Sequence, residues 1–425
     1  MNKKIGNIFK GDKVIWTILF MLCMISIIEV FSASSGLTYK SNNYIMPILK
    51  HCVTLGMGVI AAIIIVNIPC KYFKMCTFWF ILGSVIALVW VMFCGESING
   101  ANRVIEIGGQ TFQPSEFAKG TVILAVAQIL SATQTENGAD KKAFKYILYI
   151  TIPMALLIVR ENLSTAALLC MVVLCMMIIG RVSMRQIGKL LGVVALGLTF
   201  AVTLIMVGGH DNTQDKEKLQ KTETLANNQE DKENSNKILR RLDTWKARIN
   251  NFLNNKEIPA KEYDLDKNAQ VAHANIAIAS SNIIGKGPGN SVERDFLAQA
   301  FSDFIFAIII EEMGVEGAIL VVFLYIILLF RAARIANRCE KNFPAFFVMG
   351  LALMLVVQAT FNMMVAVGLA PVTGQPLPLI SKGGTSTIIN CAYIGAILSV
   401  SRSAKKKKVE PAPDKTNNDN TLTAA

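Results

Sequence analysis

Ten runs dominated by apolar side chains recur along the chain, at about residues 14–34, 47–68, 77–95, 115–131, 144–159, 164–181, 187–208, 303–330, 345–368 and 385–401. A helix of roughly 20 apolar residues crosses a bilayer hydrocarbon core of about 30 Å. The pattern therefore predicts an all-α polytopic membrane protein with about ten transmembrane helices and one large extracytoplasmic loop. The eighth run carries Glu311, Glu312 and Glu316, which places part of it outside the hydrocarbon.

The polar intervals divide the chain into a cytoplasmic N-terminal segment (1–13), helices 1–7 (14–208), the large loop (209–302), helices 8–10 (303–401) and a basic cytoplasmic tail (402–425). Within the loop, residues 211–238 are almost wholly polar and read as flexible. Leu239, Leu242, Trp245, Ile249 and Phe252 then recur at spacings of three and four, with basic residues between them, the pattern of a helix lying on a membrane surface. Residues 270–284 are small and apolar but too short to span, which suits a re-entrant or surface segment, and the turn GKGPGN (285–290) follows. The tail after Lys405–Lys408 reads as disordered.

Composition agrees with the pattern. Apolar residues make up 53% of the 425 and charged residues only 17%, with a mean hydropathy of +0.46; a soluble chain carries about 25% charged residues. A soluble enzyme and a disulfide scaffold are both excluded. Of the 42 Lys and Arg, 22 fall in segments that are cytoplasmic if the N-terminus is inside, and six in the short outer loops and outer helix ends. The other 14 lie in 209–302, a loop too long for the positive-inside rule to govern. This asymmetry fits ten helices with both termini in the cytoplasm. The net charge of +12 then reflects cytoplasmic loops facing lipid headgroups, with no nucleic acid as partner. The nine cysteines lie in or beside apolar runs and none in 209–302, so no extracytoplasmic disulfide framework is implied. The basic N-terminus leads into the first run without a small-residue cleavage site, which predicts a retained helix.

Four polar clusters fall at the outer face, where ionisable groups are costly. In GANRVIEIGGQTFQPSEFAKG (100–120), Pro114 suits a helix start, and Glu116 and Lys119, three apart, share a helical face. They form either a structural ion pair or part of a site. Arg103 could hold a phosphate in a bidentate grip or anchor a headgroup. In AQAFSDFIFAIIIEEMGVEG (298–317), Asp303, with Ser302 beside it, is either a helix cap or a functional carboxylate, carried toward lipid by Phe304, Ile305 and Phe306. In APVTGQPLPLISKGGTST (370–387), three prolines and three glycines imply a fixed non-helical loop lining a cavity, where Ser381 and Lys382 could meet an anion. In RENLSTA (160–166), Asn162 or Ser164 reads as a helix cap. Glu29 is assigned no role. His51, His210 and His273 lack metal-ligand spacing.

These stretches resemble the SEDS (shape, elongation, division and sporulation) proteins. The resemblance rests on Gly100–Arg103; FQPSE (112–116) with Lys119; GKGPGNS (285–291); SDFIFA (302–307) followed by Glu311, Glu312 and Gly314; and PVTG (371–374) with Leu377, Pro378 and SKGGTS (381–386). It covers nearly the whole chain in order, and the glycine-rich turn is similar to the FtsW-like cell-division branch. The chain departs from the family pattern at LAQAFSD (297–303), where Gln299 replaces a usual Glu, and at ENLST (161–165), SKGGTS and Val104. The resemblance implies a ten-span peptidoglycan glycosyltransferase that polymerises lipid II, an undecaprenyl-pyrophosphate disaccharide-pentapeptide, by inverting transfer with Asp303 as general base. Arg103, Lys119, Lys382 or a divalent cation (Mg or Mn) would meet the pyrophosphate, Glu116 would orient Lys119, and no other cofactor is implied. The expected partners are a class B penicillin-binding transpeptidase and other divisome proteins at the division septum. A lipid II flippase, a RodA-like elongation polymerase and a non-catalytic divisome scaffold are the alternatives.

Overall fold

The computed structural model describes residues 9–38, 46–98, 101–107, 110–136, 138–208, 265–297 and 301–404. The polar stretch 211–238, the surface helix expected around 239–252 and the tail after residue 404 lie outside the described residues, as does Gln299.

One helix occupies each predicted run: α1 (Lys13–Thr38), α2 (Met46–Val66), α3 (Cys70–Cys94), α4 (Pro114–Ala132), α5 (Lys141–Glu161), α6 (Leu163–Ile179), α7 (Met184–Gly208), α9 (Ile305–Ala336), α10 (Asn342–Ala366) and α11 (Thr385–Ser403). Six of these, α1, α2, α3, α5, α9 and α10, are each long and apolar enough to cross a membrane, and α6 is a shorter apolar helix. The short apolar stretch near 270–284 is helix α8 (Leu265–Ser280). The protein is an all-α polytopic membrane protein. Between α3 and α4 it adds a small antiparallel sheet of β1 (Glu96–Ile98), β2 (Ala101–Ile107) and β3 (Gln110–Phe112).

Helix α10 runs through the middle of the bundle against α4, α6, α9 and α11. It approaches α4 and α6 closely because Gly350 has no side chain: a Cβ there would lie 2.6 Å from Ile123 and 2.8 Å from Met176. Helices α2 and α11 meet the same way, with the Cβ position of Gly395 2.8 Å from Ala62 and that of Gly58 2.8 Å from the Cys391 sulfur. Small residues of this kind let helices pack by contact where lipid removes the hydrophobic drive.

Helix α9 is broken at Gly314, whose φ of 69° and ψ of −169° are closed to other residues without strain. The break frees the carbonyls of Glu311 and Glu312 from their intrahelical donors. The amides of Lys286 and Gly287 take them at 2.9 and 2.8 Å, so the glycine-rich turn is pinned across the kink.

Candidate active site

The non-helical segment between α10 and α11 (367–384) is held in shape by side chains that reach it from the apolar helices. Gln358 and Asn362, one turn apart on α10, donate to the carbonyls of Pro376 (3.0 Å) and Gln375 (2.7 Å). Ser26 on α1 donates to the Ile380 carbonyl at 2.6 Å, and Tyr325 on α9 to that of Pro378. Gln375 in turn donates to Thr165 on α6 at 2.8 Å. A backbone without regular structure survives at this depth only when its polar groups are met by protein, and four helices supply the partners.

Asp303 is fixed against this segment through its backbone neighbours. Three successive carbonyls each have a donor: Phe301 from the Lys382 amide (3.0 Å), Ser302 from the Ser381 hydroxyl (2.6 Å) and Asp303 from the Asn362 amide (2.9 Å). The Ser302 hydroxyl donates to the Asp303 carboxylate at 3.0 Å, and the Cβ position of Gly374, itself at φ 68°, lies 3.6 Å from its other oxygen. Asp303 does not cap α9. The residue at that position is Phe304, with no side-chain capping bond. Nor do Phe304, Ile305 and Phe306 carry the carboxylate into lipid; all three are buried in the protein, which leaves Asp303 half-buried at the start of the helix.

Ser381 is buried, and its hydroxyl is fully used, donating to Ser302 and accepting from the Leu377 amide at 2.7 Å. Lys382 is half-buried, with its ammonium 5.0 Å over the Phe301 ring. Burial, and then the charge of Lys50, holds its pKa below the ordinary lysine value.

Glu116 and Lys119 do form an ion pair, at 2.6 Å, with the side chains 1% and 0% exposed. The Lys119 ammonium also donates to Gln358 at 2.7 Å. This pair therefore faces the protein, and it supports the 367–384 segment through Gln358. Pro114 opens α4 as expected. Arg103 lies in β2. That strand pairs with β3, whose Thr111 carbonyl accepts from Thr385 at 2.7 Å, so the sheet is tied to the first turn of α11. Asn162 caps α6 by accepting from the Ser164 amide at 3.0 Å.

A second polar cluster anchors the glycine-rich turn. The buried Glu312 carboxylate accepts from the amides of Gly289 (3.0 Å) and Ser291 (3.2 Å) and from the Ser32 hydroxyl. Glu311, also buried, accepts from the Val292 amide at 3.1 Å and the Ser291 hydroxyl at 2.5 Å, and pairs with Lys286 at 2.6 Å. Glu316, by contrast, is exposed. Sequence reasoning passed over Gln358, Asn362, Thr165, Ser26 and Tyr325, although uncharged polar groups inside apolar runs carry a signal of their own.

A multi-pass bundle with a carboxylate fixed against a rigid, lysine-bearing non-helical segment at one end is the class this geometry defines. A family model described as cell cycle protein matches residues 12–406, and the chain belongs to this FtsW/RodA/SpoVE family. It is 27% identical over 396 residues to the probable peptidoglycan glycosyltransferase FtsW of Coxiella burnetii, covering 91% of this chain and 95% of that one. To the protein of the same description from Bacillus subtilis it is 27% identical over 412 residues, 93% of each. Among solved structures it is similar in fold to a chain from a peptidoglycan synthase complex that coordinates polymerization and crosslinking (TM-score 0.68, 21% identity, 93% and 98% covered). It is similar too to the rod shape determining protein RodA of Thermus thermophilus (TM-score 0.61, 21% identity, 93% and 98% covered).

Proposed function

We propose that this chain is a peptidoglycan glycosyltransferase that polymerises lipid II, with Asp303 as its general base. The observation that carries the assignment is the clamping of the Phe301, Ser302 and Asp303 carbonyls by three separate donors, which fixes one half-buried carboxylate against the segment that carries Lys382. Such rigidity is what positioned proton transfer needs and what a passage for substrate does not.

In the reaction, the acceptor sugar's 4-hydroxyl oxygen attacks the anomeric carbon of the donor, and the bond from that carbon to the pyrophosphate oxygen breaks. The hydroxyl proton passes to the Asp303 carboxylate, and undecaprenyl pyrophosphate departs with the electron pair. Attack opposite the leaving group inverts the α-linkage to β. Proton transfer to a placed base contributes roughly 10²- to 10⁴-fold. Lys382 and Arg103 supply positive charge to the leaving pyrophosphate. Ser381, Glu116 and Lys119 are positioning residues: Ser381 ties the segment that carries Lys382 to Ser302, and Glu116 holds Lys119, which supports that segment through Gln358. Among the described residues no group of three or more His, Cys, Asp or Glu side chains is placed to hold a metal ion. A divalent cation held by one or two carboxylates together with the pyrophosphate oxygens needs no such group, and no step is routed through one.

This reading puts the protein in the bacterial cytoplasmic (inner) membrane at the division septum with both termini cytoplasmic. It works there with a class B penicillin-binding transpeptidase and other division proteins. The supports are the charge asymmetry of its loops and its likeness to a chain of a synthase complex. The test is lipid II polymerisation by the purified protein with its cognate transpeptidase and penicillin. Long glycan from wild type and none from Asp303→Ala is expected. Polymer from both removes Asp303 as the base. Polymer from neither, with the complex intact and substrate bound, moves the assignment to a flippase or scaffold.

A further inference from the structure

At the end of the bundle opposite the Asp303 segment, the ends of α3, α4, α10 and α11 line an open pocket of about 670 Å³. Its chemistry is one-sided. Lys71, Lys74, Lys341 and Arg402 line it, against the single carboxylate of Glu340. None of the four cations is in an ion pair among the described residues. Two helices also begin there, α3 after Pro69 and α10 after Lys341. Neither has a side-chain capping bond or an acidic residue in its first turn. Their free amides add to the positive field of the lysines.

Apart from Asn342 and three serines, the rest of the lining is apolar. Phe343 lies in the wall, with Phe347 stacked on it at 5.8 Å and Phe73 5.6 Å from Phe347. A soluble phosphate would use the cations and leave this wall unused. A ligand with a phosphate at one end and hydrocarbon at the other would use both.

We propose that this pocket binds an anionic phospholipid of the cytoplasmic leaflet. Lys71, Lys74, Lys341 and Arg402 hold the phosphate, and the acyl chains leave along the apolar lining of Ile68, Phe343 and Pro344 into the bilayer. The leaflet follows from the same loop asymmetry that places both termini in the cytoplasm. Excess positive charge is common on cytoplasmic surfaces. What sets this place apart is a concave volume, a largely apolar wall and two uncapped helix starts, all at one point.

The experiment is native mass spectrometry of the full chain, released from nanodiscs holding phosphatidylethanolamine with phosphatidylglycerol or cardiolipin. Wild type is expected to retain phosphatidylglycerol or cardiolipin over phosphatidylethanolamine, and Lys341→Gln with Arg402→Gln to lose retention by about fivefold per cation removed. Lys341→Arg with Arg402→Lys should keep it, which separates charge loss from misfolding. The control Lys142→Gln with Lys145→Gln removes two charges from the same face outside the pocket and should change nothing. Equal loss in the control would reduce the effect to general surface charge and overturn the site. Competition by glycerol phosphate as strong as that by short-chain phosphatidylglycerol would assign the pocket to a soluble phosphate. Retention that emerges only on truncation after Lys408 would mean that the chain's own acidic tail occupies it.

Discussion

Substituting Lys119 tests whether it supports the site or touches substrate. Lys119→Met keeps the length and apolar stem and deletes the ammonium. The Glu116 carboxylate, 1% exposed, then loses its 2.6 Å partner. Its other oxygen already lacks a hydrogen-bond partner among the described residues. An uncompensated buried charge costs about 3–5 kcal/mol. The Gln358 oxygen is orphaned as well, which by itself costs about 1–3 kcal/mol, but the groups share one network and the two figures do not add. Glu116→Gln combined with Lys119→Met removes the stranded charge and leaves only the smaller penalty, so the double variant should be the more stable. Unfolding by SDS in mixed micelles reads both numbers, and polymerisation is followed in parallel. If Lys119→Met unfolds within about 0.5 kcal/mol of wild type yet loses polymerisation, Lys119 acts on substrate and the supporting role is refuted.

Other perturbations follow from the same geometry. Gly314→Ala puts a Cβ 2.1 Å from the Ile283 carbonyl at a φ of 69°. It should cost at least about 1–3 kcal/mol and speed proteolysis within 281–297. Glu312→Ala removes the charged acceptor of the Gly289 and Ser291 amides. The expected loss is about 1.5–3 kcal/mol, read by the same unfolding titration, with the glycine-rich turn exchanging amide hydrogens faster. Lys382 has a lowered pKa through burial and then Lys50. A lowered lysine pKa means that its charge is lost earlier as pH rises, so Lys50→Gln should raise that pKa and move the alkaline limb of the polymerisation profile upward. An unmoved limb would show that Lys382 does not set it.

The helices were legible because a bilayer demands an unbroken apolar run for each crossing, and that demand is local in sequence. The sheet between α3 and α4 also has a local signature. Ile105-Glu106-Ile107 alternates with period two before Gly108-Gly109 and QTF, which is a hairpin signature. The site divides in the same manner. Asp303, Ser381 and Lys382 stood out as polar residues at the edges of apolar runs, and the Glu116–Lys119 spacing gave their pairing. The inward direction of that pair was hidden, because it depends on Gln358, which is 239 residues away from Lys119. The capping role weighed for Asp303 fails for a similar reason. A cap is defined by where the helix starts, and packing of Phe304, Ile305 and Phe306 into the bundle moves that start past the Asp. The pinning of GKGPGN across the α9 kink joins two segments through backbone carbonyls, which no side-chain pattern records.

The most direct measurement separates substrate binding from turnover in Asp303→Asn. The substitution keeps the size of the side chain, and the three carbonyl clamps come from other residues. Lipid II binding in nanodiscs should stay within about twofold of wild type, while single-turnover formation of the new glycosidic bond falls by about 10²- to 10⁴-fold. Equal losses in binding and turnover, or undiminished polymerisation, would contradict Asp303 as the base.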